Sequence, residues 1–176
     1  MNRAVELWML CFEDSRETAE EFFSLRGVET LTECGPQGEL MGMASLIPVS
    51  DSLGGRGYYV YGVCVHPSFR GRGIFRKLMS ECEARATELG ASYLCLIPAT
   101  EKLYGTYFRM GYRIPVELCG FMCEGDVEIR SCSKDFTLFA KTDAEYSGNV
   151  RGLLKPFSER YSSDMKFCFP ERMGEC

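Results

Sequence analysis

The sequence predicts an α+β fold built as one domain, and three observations predict it. Two amphipathic helical stretches precede any strand, at the N-terminus and over Ser15–Leu25. Strand-like runs then follow one another across a short turn, as antiparallel neighbours do. A longer helical stretch, Gly71–Leu89, finally separates two apolar runs, Tyr58–Val65 and Ser92–Ile97. The chain has 176 residues, a length that suits one hydrophobic core.

In order along the chain, Ala4, Leu7, Trp8, Cys11 and Phe12 recur at helical spacing and predict one apolar face. Ser15 precedes the second helix as an N-cap, its hydroxyl placed to accept from an early helical N–H. Val28–Cys34 reads as a strand, closed by the turn composition Gly35-Pro36-Gln37-Gly38. Glu39–Val49 is its expected antiparallel partner, and Ser50–Gly57 is a glycine-rich loop. Tyr58–Val65 is aromatic and β-branched, a strong strand signal. Ile74, Leu78, Cys82, Ala86 and Leu89 give the long helix an apolar face, with Gly90 as its C-cap. Pro98 stops the strand Ser92–Ile97, and Glu101–Met110 forms a short helix ended by Gly111. Pro115–Cys123 and Val127–Ala140 are expected strands, and Asp143–Leu154 is expected to be partly helical. The expected division is one domain over residues 1–140, with residues 141–176 as an extension packed on it.

Composition narrows the function classes. Apolar residues make up 45% and charged residues 26%, the balance of a folded globular chain. Lys and Arg number 20 against 25 Asp and Glu, for a net charge of −5. That balance argues against nucleic acid as a partner and allows a cationic one. No run approaches the roughly 18 apolar residues of a membrane span, so no membrane partner is expected. Glu6 interrupts the first apolar stretch and no small-residue cleavage site follows, so a cytoplasmic protein is expected. Ten cysteines are scattered singly without a Cys-x-x-Cys pair, and His66 is the only histidine. Reduced thiols are therefore favoured over a disulfide framework, and no metal site is expected.

The most informative string is Val63-Cys64-Val65-His66-Pro67-Ser68-Phe69-Arg70-Gly71-Arg72-Gly73-Ile74, a strand, a tight turn and a glycine-rich helix start. The first N–H groups of a helix lack intrahelical partners and carry positive potential. Glycines at 71 and 73 let a phosphate approach the backbone, while Arg70, Arg72, Arg76 and Lys77 add local positive charge. Neither familiar nucleotide loop is present. The Gly-Lys-Ser/Thr ending of a Walker loop is absent, and Arg76 stands where a Rossmann loop has its third glycine.

The string resembles the coenzyme A loop of the Gcn5-related N-acetyltransferase (GNAT) superfamily, Arg/Gln-x-x-Gly-x-Gly/Ala after a strand ending in Val-x-Pro. Arg70, Gly73 and Val65-His66-Pro67 match, and Phe75 departs at the final small position. Tyr107-Phe108-Arg109-Met110-Gly111-Tyr112 resembles the family's Tyr-x-x-x-Gly-Phe ending, one helix and one strand further on. The resemblance covers about Ala4–Tyr112 and looks closest to the branch of enhanced-intracellular-survival-type aminoglycoside acetyltransferases.

The resemblance implies a three-layer α/β arrangement, in which a mixed and mostly antiparallel sheet splays at an acetyl-CoA cleft. It implies acetyl-CoA as cosubstrate and direct transfer to a primary amine of a small molecule or peptide. Val63, Cys64 and Val65 would pair with the pantetheine arm, with the Val63 N–H facing the thioester carbonyl. Arg70, Gly71, Arg72, Gly73, Ile74, Phe75 and Arg76 would form the pyrophosphate cradle, and Thr100 stands where relatives carry an asparagine that contacts pantetheine. Tyr107 would be the acid that protonates the departing thiolate, with Tyr104 one turn away on the same helix. Gly62 is a candidate strand bulge, or a glycine making room for a bulky neighbour. The glutamate that many relatives use as base is replaced by Cys95, leaving water, a carboxylate such as Glu33, or bulk solvent. The alternative function is a non-catalytic acyl-CoA-binding module. A homodimer follows family habit.

Overall fold

The computed structural model describes residues 2–25, 27–50, 55–118, 136–142 and 155–156. The helices are α1 (Arg3–Phe12), α2 (Arg16–Ser24), α3 (Ile74–Glu88) and α4 (Tyr104–Arg109). The strands are β1 (Glu29–Cys34), β2 (Leu40–Ser50), β3 (Arg56–Val65), β4 (Tyr93–Leu96), β5 (Ile114–Leu118), β6 (Phe136–Thr142) and the two-residue β7 (Lys155–Pro156). Their order is β1-β2-β3-β4-β6-β5, with β7 paired to the end of β2. β3 and β4 are parallel, whereas β1/β2, β4/β6, β5/β6 and β2/β7 are antiparallel. The expected α+β class with a mixed, mostly antiparallel sheet is what the chain adopts.

Among the described residues, those within 1–47 and 60–89 form one compact unit, and those within 48–59 and 90–156 form another. The first is organised by α3 and the strands beside it. Ile74, Leu78, Met79, Cys82 and Ala86 form the buried face of α3. Two ion pairs fix this helix along β1: Lys77 Nζ to Glu33 Oε2 at 2.6 Å, and Arg85 Nε to Glu29 Oε1 at 2.7 Å. From 77 to 85 the helix advances about 12 Å. From 33 back to 29 the strand covers about 13 Å. The two ladders therefore match only with helix and strand antiparallel. These half-exposed pairs add little energy, so their effect is on register. β2 is buried almost throughout, and Ser45, its one buried polar residue, exchanges a 2.9 Å hydrogen bond with Thr30.

The α1 face differs from the expectation at Val5 and Phe12. Val5, Leu7 and Trp8 are buried, while Phe12 is 39% exposed. Trp8 sets this register, because its indole is enclosed by Phe22, Phe23 and Tyr61 at ring distances of 4.6–5.8 Å. Ser15 caps α2 as expected, accepting from the Thr18 N–H at 3.2 Å. The turn after β1 closes through Gly38 N–H to the Gly35 carbonyl at 2.9 Å.

In the second unit β4 is buried at every position and pairs Tyr93, Leu94 and Cys95 with Gly57, Tyr58 and Tyr59 of β3. The expected helix over Glu101–Met110 divides into a 3-10 turn, Glu101–Leu103, and α4. Residues 119–123 and 127–135 of the two expected later strands, and the expected helix Asp143–Leu154, lie outside the described residues.

Burial holds several weak acids in their neutral form. The Tyr107 and Tyr61 phenols and the Cys82 thiol are each pushed up to about 12, and the Cys64 and Cys95 thiols are pushed up further. A raised folded-state value means that the native chain holds protons the unfolded chain has lost, so stability falls as pH rises. The loss begins near pH 9, where unfolded thiols ionise, and continues to about 12. Urea midpoints under reducing conditions should be level from pH 7 to 8 and fall steadily above pH 9. A level midpoint up to pH 11 would contradict this burial.

Candidate functional site

The first unit carries the glycine-rich loop. β3 ends at Val65, and His66 opens a 3-10 turn over Pro67–Phe69, its Nδ1 accepting from the Ser68 N–H at 3.2 Å. That bond makes His66 Nδ1 an acceptor, a structural use of the only histidine. Arg70 Nε donates back to the Val65 carbonyl at 3.2 Å, and the Arg72 guanidinium lies 5.2 Å from the centre of the Phe69 ring. Two of the expected cations are thus braced against the turn, while Arg76 is exposed.

Gly71 and Gly73 both take left-handed backbone conformations, with φ of +77° and +80°. An L side chain pays about 1–2 kcal/mol for such a conformation. A Cβ added at either position would meet no atom within 4 Å, so the space above both is open. Gly73 is also the N-cap of α3 and supplies no side-chain hydrogen bond to its first amides. Two exposed glycines, open above, thus sit at a helix start that has no side-chain cap, flanked in sequence by arginines 70, 72 and 76. Ile74 is buried and Phe75 is half-buried, as an inward-facing helix side chain and its neighbour should be. The ring of Phe75 leaves the space over Gly71 and Gly73 open.

Upstream, β3 kinks at Gly62, whose φ is +60°. A Cβ there would stand 2.7 Å from Trp8 Cζ3. This contact fits the reading of Gly62 as a glycine that makes room for a bulky neighbour. Beyond it, the His66 N–H donates to the Met41 carbonyl of β2 at 2.9 Å. Strand alternation then turns the N–H and C=O groups of Val63 and Val65 to the opposite edge. The Val65 carbonyl accepts there from Arg70. Cys64, between them, is buried.

The second unit carries Tyr107 on α4. Its ring is 6% exposed and meets Tyr112 edge-on at 6.0 Å. Burial pushes the phenol up to about 12. Tyr104 is 36% exposed on the same helix. Thr100 is exposed in extended conformation, and its carbonyl accepts from the Leu103 N–H at 3.0 Å. Cys95 is fully buried, with its thiol 3.7 Å from the Tyr58 carbonyl and its ionisation suppressed by burial. It is a packing residue. Glu33, a candidate proton acceptor, is committed to Lys77 at 2.6 Å, and that hydrogen bond is the main cause of a raised Lys77 value.

Sequence reasoning passed over Asp14, whose Oδ2 accepts from Trp8 Nε1 at 2.7 Å. Among the described residues no group of three or more His, Cys, Asp and Glu could hold a metal ion, and no helix is long and apolar enough to cross a membrane.

The model of the acetyltransferase (GNAT) domain matches residues 1–114. A probable N-acyltransferase from Enterococcus faecalis is 18% identical, with a TM-score of 0.57 over 68% of this chain and 31% of that one. This chain therefore spans about a third of that protein's length. A GNAT family acetyltransferase from Brucella melitensis, solved in complex with acetyl-CoA, is 23% identical, with a TM-score of 0.53 over 64% of this chain and 75% of that one. An aminoglycoside 6'-N-acetyltransferase complexed with coenzyme A is 18% identical, with a TM-score of 0.56 over 80% and 89%. At these identities the likeness establishes the fold. No curated protein matches.

The thiols offer a direct check on the packing described above. Native-state alkylation should modify exposed Cys34 readily and leave Cys64, Cys82 and Cys95 protected until the chain is denatured. Peptide mass mapping that finds Cys95 labelled as fast as Cys34 would return it to the list of reactive groups.

Proposed function

The chain belongs to the GNAT acetyltransferase family, and on that footing we propose that it transfers an acetyl group from acetyl-CoA directly to a primary amine. The observation that supports this reading is the pair of left-handed glycines 71 and 73, with open space above them, at a start of α3 that has no side-chain cap. Backbone amides of residues 71–76 hold the pyrophosphate, with Arg70, Arg72 and Arg76 adding charge. The pantetheine arm adds along the β3 edge that Val63 and Val65 present, as an extra strand would. The Val63 N–H donates to the thioester oxygen, where negative charge grows as the amine attacks. Thr100 adds a contact to the same arm.

The neutral amine attacks the carbonyl carbon, the C–S bond breaks, and the products are an amide and the free thiol of coenzyme A. Tyr107 serves the departing sulfur. With its phenol near 12 it is a neutral donor at any physiological pH. Outright proton transfer to an ordinary thiolate, of pKa about 8.5, is uphill by roughly 5 kcal/mol. Tyr107 therefore stabilises the developing thiolate by hydrogen bonding first. Transfer completes as the sulfur's own proton affinity rises in dry surroundings, and the tyrosinate regains a proton from water, which receives the one the amine gives up. The amine's proton passes to water, since Glu33 is held by Lys77.

The acceptor is a small-molecule or peptide amine. The excess of 25 acidic over 20 basic residues favours a cationic one. Kinship with the enhanced-intracellular-survival-type branch, cytoplasmic action and a homodimeric state belong to the same proposal, by family habit. The pairing of β6 with β4 and β5 supports drawing the catalytic domain to about residue 140, with 141–176 as an extension.

Two variants test the assignment. Gly73→Val meets no protein atom at its Cβ, so its folding cost is confined to backbone strain of about 1–2 kcal/mol. Calorimetric titration should show acetyl-CoA affinity lowered by about one to several orders of magnitude, each worth about 1.4 kcal/mol. Unchanged affinity in the folded variant would remove the loop from the site. Tyr107→Phe keeps the ring against Tyr112 and removes the hydroxyl. Its kcat on a responsive amine should fall by about 10² to 10⁴, with acetyl-CoA affinity little changed. Tyr104→Phe should stay near wild type, and a crippled Tyr104 variant beside an active Tyr107 variant would reverse the assignment.

A further inference from the structure

We infer that Trp8, locked by Asp14, is a positioning residue that holds the β3 kink at Gly62 and thereby aims the Val63 N–H at the thioester carbonyl. The inference rests on the acetyl-transfer reading above and adds to it a residue on α1. Residues 8, 14 and 62–65 all lie in one compact unit.

The Val63 N–H belongs to the peptide bond that joins Gly62 to Val63, so the backbone angles of Gly62 set its direction. A φ of +60° in mid-strand is an isolated left-handed step that glycine takes at little cost, so a contact from outside the strand can select it. Here that contact comes from the six-membered ring of Trp8. A Cβ on Gly62 would meet Cζ3 at 2.7 Å, Cη2 at 3.3 Å and Cε3 at 3.6 Å, so the indole lies directly against the glycine backbone.

The indole itself has little freedom. It is 2% exposed, and the rings of Phe22, Phe23 and Tyr61 stand 4.6, 5.6 and 5.8 Å from it. Those contacts restrict its tilt, but an aromatic cluster alone tolerates sliding in the ring plane. The 2.7 Å bond from Nε1 to Asp14 Oδ2 removes that last freedom. Asp14 stands just before the α2 cap Ser15, so the short link between α1 and α2 supplies the lock. An exposed carboxylate accepting from a buried indole needs no other partner to be at ease in water. Its effect on stability is accordingly modest, and its effect on the placement of Trp8 is large.

A displacement of about 1 Å at a catalytic donor costs on the order of 10²-fold in rate. The variants should therefore separate turnover from binding. Asp14→Ala leaves the indole in its aromatic cage and deletes the lock. Trp8→Phe deletes the atoms that touch Gly62. Asp14→Asn restores an oxygen acceptor for Nε1.

The most direct readout needs no acceptor amine. Isotope-edited infrared spectra of acetyl-CoA carrying ¹³C at the carbonyl report the hydrogen bond to the thioester oxygen. In the wild type the carbonyl band should move to lower frequency on binding. Asp14→Ala and Trp8→Phe should lose most of that movement, and Asp14→Asn should recover it. Calorimetric affinity for coenzyme A without its acetyl group should stay within about threefold of wild type in all of them, because the pyrophosphate cradle is untouched. With an amine that supports turnover, kcat should fall about ten- to hundred-fold in Asp14→Ala, with KM for acetyl-CoA unchanged. Should Trp8→Phe fail to fold, Asp14→Ala carries the test alone.

A wild-type shift retained in full by folded Asp14→Ala would overturn the positioning role and leave the acetyl-transfer reading standing. Acetyl-CoA that binds with no carbonyl shift in the wild type would remove the Val63 donor and this inference with it. No binding of acetyl-CoA at all would overturn the functional reading itself.

Discussion

β3 and β4 run parallel, and that one pairing dictates where α3 must begin. Parallel neighbours cannot be joined by a tight turn, so the chain must leave the end of β3, travel back and re-enter beside its start. The return path is α3, and its first turn therefore lies just past Val65. A helix begun at that point presents unpaired amides off the end of a strand, the usual position for ligands in folds with parallel strands. The turn between Val65 and Ile74 leaves no room for a gradual approach. It is closed by the 3-10 turn at Pro67–Phe69 and by two glycines in left-handed conformation. The same glycines that make the connection geometrically possible also leave the amides bare.

Features that depend on neighbours in sequence were legible from sequence. The Ser15 cap, the Gly35–Gly38 turn, the inward face of α3 and the strand Tyr58–Val65 each follow from periodicity or turn chemistry within a few residues. Helix boundaries were less so, because capping residues and glycines are shared between loop and helix: α3 begins at Ile74, three residues after the expected stretch opens at Gly71. The α1 face was legible except for Val5 and the edge position of Phe12, because those depend on neighbours outside the helix. Trp8 is enclosed by rings from α2 and β3, which rotates Val5 inward and leaves Phe12 at the surface. Spacing within ten residues carries no record of that.

The site shows the same division. Arg70, Gly71, Gly73 and Tyr107 stand out through motif position, whereas the meaning of Gly62 depends on an indole more than fifty residues earlier. The commitment of Glu33 to Lys77 is likewise a contact between strand and helix, invisible to spacing. Burial completes what sequence could not supply. It neutralises Cys95 and holds the Tyr107 phenol in its donor form. Those two outcomes leave both groups protonated, although only Tyr107 carries the proposed catalytic role.

The account rests on the backbone amides between β3 and α3 as the place where acetyl-CoA is held. Backbone amide chemical shifts, followed by NMR as acetyl-CoA is titrated into the protein, test that claim most directly. The account predicts the largest changes at the amides of residues 71–76, with further changes at Val63 and Val65. Saturable binding that leaves those amides unmoved, or no binding at millimolar acetyl-CoA, would contradict it.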